Sequence, residues 1–169
     1  MTNQVTIEAP EGLPFVEIVR EFDAPVEAVY RAHREPELVK RWQGPHGYQM
    51  DITRWDFESG GGYEYEHVDP EGGRWGFRGV FHVARENEFV IQTFEFVGMP
   101  DLVSIETLAF EDLGDGRTRL RGHSTFPSVE ARDGMVASGM ETGVVEGYER
   151  LDEVVAELSA PASTAAPSA

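Results

Sequence analysis

Cysteine is missing from all 169 residues. Its absence excludes disulfides, thiolate nucleophiles and cysteine-ligated metals. Basic residues are scarce, with 14 lysines and arginines against 31 aspartates and glutamates, a formal net charge of −17. Nucleic acid requires a basic footprint, and so do anionic membranes, so neither is an expected partner. A solvated acidic surface that favours solubility is the simple explanation of the charge. No stretch of about 18 apolar residues occurs, so no spanning helix is expected. The opening MTNQVTIEAPEGLPF has neither the basic start nor the apolar run of a secretory leader. With no cysteine to oxidise, a cytoplasmic location is the expectation.

Metal-binding patterns are lacking too. His33, His46, His67, His82 and His123 fall at no HxxxH or HExxH spacing. The DLGDG segment at 112–116 lacks the alternating acids of a calcium loop and reads as a hairpin turn. Gly73, Gly76 and Gly79 have no helix after them to cradle a phosphate, and Ser138-Gly139 lies inside a helical pattern, where no nucleophile elbow forms. No metal and no cofactor are expected.

What the chain does have is period-two patterning through its middle and a helical pattern at its end. Residues 15–22 (FVEIVREF) read as a strand. Two short helices follow, one starting near Asp23 and Pro25 and one over Glu35 to Trp42. Six strand-like runs then come in succession, separated by GGG, DPEGG, ARENE, GMPD and DLGDG turns. The last ends at Pro127, and residues 128–158 read as one long helix whose apolar stripe includes Val136, Met140, Val144, Leu151, Val155 and Leu158. Gly139, Gly143 and Gly147 are spaced by four along one edge of it. Each helical glycine costs roughly 0.5–1 kcal/mol against alanine, so a row of three implies close packing or a hollow beneath. This order implies an α+β domain, a curved antiparallel sheet wrapped on a long C-terminal helix, with two short helices closing one end. The expected organisation is a flexible arm over 1–13, one domain over 14–159 and a disordered tail over 160–169.

Particular segments resemble a known superfamily. FDAPVEAVYRA (22–32), ELVKRWQGP (37–45), WDFESGGGYEYE (55–66), RWGFRGVFHV (74–83), EDLGDGRTRLR (111–121) and FPSVEARDGMVASGMETGVVEGYERLDEVV (126–155) are similar to START-like, or SRPBCC, helix-grip proteins. They most resemble the branch of homologues of the C-terminal domain of the activator of the heat-shock protein 90 ATPase, with its calicheamicin-resistance-like and polyketide-cyclase-like members. The resemblance covers about residues 15–158 and implies the helix-grip fold, but a fold hosts many functions. The chaperone activators of that branch carry an additional N-terminal domain absent from these 169 residues, so ATPase activation is not carried over. Gln43 stands where the motif commonly has a second tryptophan, which implies a more polar pocket entrance.

Face assignments give a candidate pocket. Trp42, Tyr63, Tyr65, Trp75, Phe77, Phe81, Phe94 and Phe110 are expected to point toward the helix, with Met135, Gly139, Met140 and Gly143 roofing them. Ordinary core packing is the competing explanation for each aromatic singly. Strand parity places Gln92, Glu106 and His67 on the same inward side, where a desolvated Glu106 could hold or move a proton, although one β-bulge would reverse any of them. Three functions follow. The first is non-catalytic binding of an apolar or aromatic small molecule, lipid- or polyketide-like, in a cavity between sheet and helix. The second is an aromatic cyclase or dehydratase using Glu106 and His67, and the third is a chaperone-related protein interaction.

Overall fold

The computed structural model describes residues 3–161. Its elements run β1 (Thr6–Glu8), β2 (Phe15–Phe22), α1 (Val26–Arg34), α2 (Pro36–Trp42), β3 (Gln49–Trp55), β4 (Gly62–Val68), β5 (Arg74–Arg85), β6 (Phe89–Phe96), β7 (Ser104–Gly114), β8 (Arg117–Thr125), α3 (Val129–Ala137) and α4 (Met140–Ser159). The eight strands form one antiparallel sheet in the order β1-β2-β8-β7-β6-β5-β4-β3. This is an α+β helix-grip fold. Among the described residues no helix is long and apolar enough to cross a membrane. The expected disordered tail lies, from residue 162 onward, outside the described residues.

Alternation along each strand separates two faces. The outer face is charged, with Arg119 bridging Glu21 at 2.8 Å and Glu111 at 3.3 Å. The inner face carries Phe22, Leu120, Phe110, Val90 and Phe81, which pack with Val29 and Tyr30 of α1 and Leu151, Val154 and Val155 of α4. Fully burying each of the large side chains contributes about 1.5–3 kcal/mol. A part-buried ion pair fixes the helix on the sheet. Arg20 of β2 donates to Asp152 at 2.5 Å and to the Tyr148 carbonyl at 2.8 Å.

Two expectations are corrected. The arm over 1–13 contains a strand, because Thr6–Glu8 pairs with β2 from Glu17 to Val19 and covers what would otherwise be an open edge. The long C-terminal helix is two helices. Gly139 adopts φ 87° and ψ 22°, the left-handed conformation that ends a helix, and α4 restarts at Met140. The apolar stripe runs on through Val136, Met140 and Val144, which hides the break in the sequence. The start of α3 is as expected, with Ser128 accepting the Ala131 N–H at 3.0 Å.

Candidate functional site

The tight packing stops partway along the sheet. Three polar side chains stand in register there: Gln92 on β6 pairs across to Glu106 on β7, which pairs across to Ser124 on β8. The row continues into fully buried Val16 on β2. Around this row, between sheet and α4, lies a cavity of about 320 Å³, partly open to solvent. Tyr65, Phe77 and Phe94 form its sheet side, Met140, Gly143, Gly147 and Tyr148 its helix side, and Trp42, Gln43 and Gly44 its end.

The two helix glycines have different roles. A Cβ on Gly147 would lie 3.2 Å from the Trp42 carbonyl oxygen, so this glycine lets α4 approach the end of α2. A Cβ on Gly143 would meet nothing nearer than Pro45 at 4.0 Å, and the space beneath it belongs to the cavity. Gly139, placed at the helix break and exposed, lies outside it.

Glu106 is the acid of the wall. Its Oε2 accepts from Gln92 Nε2 at 2.9 Å, and its Oε1 makes a longer contact of 3.4 Å with Ser124 Oγ. It is part of the cavity lining. Desolvation raises the pKa of its carboxyl, and the Gln92 and Ser124 hydrogen bonds oppose that in part. Burial, with Glu106 second, pushes the hydroxyls of Tyr63, Tyr65 and Tyr148 upward. Gln43 donates to the Tyr65 hydroxyl at 3.2 Å, which puts a polar group at this end of the cavity.

His67 is buried, edge-on to Tyr65 and Phe77, and its Nδ1 has no partner among the described residues. Burial lowers its pKa. His33 of α1 also reaches the wall. Its Nδ1 faces the Val29 carbonyl at 2.8 Å, and burial brings its pKa down to about 4.

Of the sequence-derived pocket residues, the structure brings Trp42, Tyr65, Phe77, Gln92, Phe94, Met140, Gly143, Glu106 and His67 to the cavity. It does not bring the others. Trp75 is 45% exposed, because β5 runs past the end of the hollow, and its indole donates to Asp69 instead. Phe81 and Phe110 face inward but belong to the solid core, against Phe57 and Tyr30 respectively. Tyr63 stacks behind Tyr65 and donates to the Thr93 carbonyl. Met135 sits on α3, on the far side of the break.

His33, Trp55, Phe57 and Tyr148 line the cavity without having been expected there. Tyr148 had a signal, since it follows Met140 and Val144 at steps of four. The others lie on α1 and in the β3–β4 region, where no local periodicity points at the cavity. Among the described residues no three acidic or histidine side chains converge to hold a metal ion. A hollow of about 360 Å³ also lies between the N-terminal arm and α4, beside Asn3, Arg20 and Glu149. Its lining includes no aromatic side chain.

Residues 23–156 match the family described as activator of Hsp90 ATPase homolog 1-like protein. A crystal structure of a Rhodobacter sphaeroides protein aligns with TM-score 0.81 and 26% identity, over 92% of this chain and 99% of that one. A solution structure of an Arthrobacter aurescens protein aligns with TM-score 0.82 and 29% identity, over 93% and 92%. A Mycobacterium smegmatis protein, at TM-score 0.79 and 21% identity over 92% and 99%, shares the fold. No curated protein matches.

Proposed function

The chain belongs to the activator of Hsp90 ATPase homolog 1-like family, and from that premise we propose that it binds an apolar or aromatic small molecule between sheet and α4. The observation that carries this reading is the cavity of about 320 Å³, walled by rings and interrupted by few polar groups. A mostly apolar hollow with convergent polar side chains is the usual form of a small-molecule site. Apolar surface left uncovered inside a domain forgoes dispersion and burial that a tighter core would gain, and a ligand restores both. Native mass spectrometry after incubation with a panel of aromatic compounds tests the reading. The expected result is a one-to-one adduct that a bulky residue at position 143 abolishes. Absence of any adduct, with the wild-type protein folded, counts against it.

A second reading has its own observation. A desolvated Glu106 and the Tyr65 and Tyr148 side chains line one cavity, an arrangement suited to moving protons on a bound polyketide-like chain. Turnover assays of Glu106→Gln and His67→Ala with a candidate substrate test it. Unchanged rates would remove both residues from any mechanism.

A further inference from the structure

The charge of the cavity wall is one-sided. Among the residues lining it, Glu106 is the one acid, and neither lysine nor arginine contributes. The two histidines of the wall carry no positive charge near neutrality. His33 is pushed down to about 4 and His67 is lowered, both chiefly by burial. The tyrosines whose ionisation Glu106 opposes, Tyr63 and Tyr65 on β4 and Tyr148 on α4, are pushed upward and stay neutral as well. A carboxylate, sulfate or phosphate entering this space would leave water, meet Glu106 and find no cation in the lining, since Arg150, whose charge reaches His67, and Arg20, whose charge reaches Tyr148, both lie outside it. A cation would find a partner there.

The hydrogen bonding of Glu106 leads to the same conclusion. Its two oxygens receive one donor each, from Gln92 and Ser124. An ionised carboxylate accepts about four hydrogen bonds, so accepting capacity remains on the side that faces the cavity. The rings of Tyr65, Phe77, Phe94 and Tyr148 share that space. Aromatic faces carry negative potential and attract organic cations, most strongly where water is excluded. The net charge of −17 also raises the local concentration of cations around the molecule.

We propose, building on the small-molecule reading above, that the cavity takes an apolar, largely aromatic molecule bearing a single basic nitrogen, whose ammonium group pairs with Glu106 while its body lies among the rings. The amine brings the proton on its nitrogen, and Glu106 is ionised in the complex. Where Glu106 is protonated in the free protein, binding releases that proton to solvent.

Three naphthalene probes that differ in one substituent test this by isothermal titration calorimetry on the full chain: 1-naphthylmethylamine, 1-naphthalenemethanol and 1-naphthoate. At pH 8 the amine is expected to bind at least tenfold more tightly than the alcohol, and the naphthoate more weakly than either. Lowering the pH from 8 to 5 is expected to weaken the amine, because a proton taken up by Glu106 removes its counter-charge and one taken up by His67 adds a like charge, while the alcohol hardly changes. Glu106→Gln is expected to abolish the tenfold preference, with a thermal melt reporting whether that variant is folded. If it is not, the order of the three probes on the wild-type protein at pH 8 decides the matter. An alcohol as tight as the amine, or a naphthoate tighter than both, overturns this inference and leaves the small-molecule reading standing. Binding of none of the three overturns this inference and weighs against that reading as well.

Discussion

Gln92 donates to Glu106 at 2.9 Å across the β6–β7 ladder, and the two are direct cross-strand partners. The amide thus holds a carboxyl whose environment disfavours its charge. The position of that carboxyl is fixed by sheet register rather than by a loop.

The acid gives stability a pH dependence. Its native pKa is raised by burial, so the native state binds the proton more tightly than the unfolded chain does. Its contribution is fully present below the ordinary carboxylate value and is lost as the pH rises through the raised value. Glu106→Gln is expected to remove that decline, so its stability relative to wild type increases as the pH goes from 4 to 8 in urea melts. Parallel curves for the two proteins would contradict this.

His33 acts with the opposite sign at the acid end. Its native pKa of about 4 lies below its ordinary value, so the unfolded chain takes up the proton first. Stability is therefore lost as the pH falls from about 6.5 toward 4, by on the order of 3 kcal/mol. His33→Phe is expected to remove this acid-side loss. An NMR titration of the His33 ring checks the value directly.

Glycine positions separate packing from volume. Gly143→Leu is expected to lower probe affinity at least tenfold while shifting the melting temperature by only a few degrees, because open cavity lies beneath it. Gly147→Ala is expected to destabilise by about 1 kcal/mol despite a similar gain in helix propensity, since its methyl group presses on the Trp42 backbone. Calorimetric melts and probe titrations of both variants distinguish the two effects.

Gly139 is a matter of backbone alone. A Cβ there meets nothing within 4 Å, but φ is 87°. Gly139→Ala is expected to cost about 1–2 kcal/mol and Gly139→Asn measurably less, because asparagine tolerates the left-handed region. Equal costs in urea denaturation would contradict the conformational explanation.

Arg20 tests how α4 is held. Its guanidinium is almost wholly buried, while the Asp152 side chain is 34% exposed and can regain water if released. Asp152→Asn is expected to cost about 3 kcal/mol, because it leaves the buried guanidinium without its counter-charge, and Arg20→Met less, since the freed Asp152 regains water. A double-mutant cycle gives the coupling between the two residues.

The sheet and its covering helices were legible because alternation is a local property. Turns such as DPEGG and DLGDG mark strand ends without reference to the rest of the molecule. The same parity puts Trp75, Phe77 and Phe81 on one side of β5, but parity says nothing about depth along the strand. One of the three ends up at the exposed end, one in the cavity and one in the core. The break at Gly139 was not legible for a different reason. A glycine at a helix end and a glycine inside a helix look alike when the apolar spacing continues through both. His33 and Trp55 reach the cavity through tertiary packing that no single segment encodes.

The interior has two parts with separate duties, a solid core and a hollow that surrounds Gln92, Glu106 and Ser124. On one side, Leu151, Phe22 and Leu120 set how firmly the chain holds together. On the other, Phe77, Phe94 and Met140 set the shape of a partly open void. A lineage can therefore remodel the void one side chain at a time at small cost to folding. Such a division lets a single scaffold diversify in what it accommodates while its stability stays nearly constant.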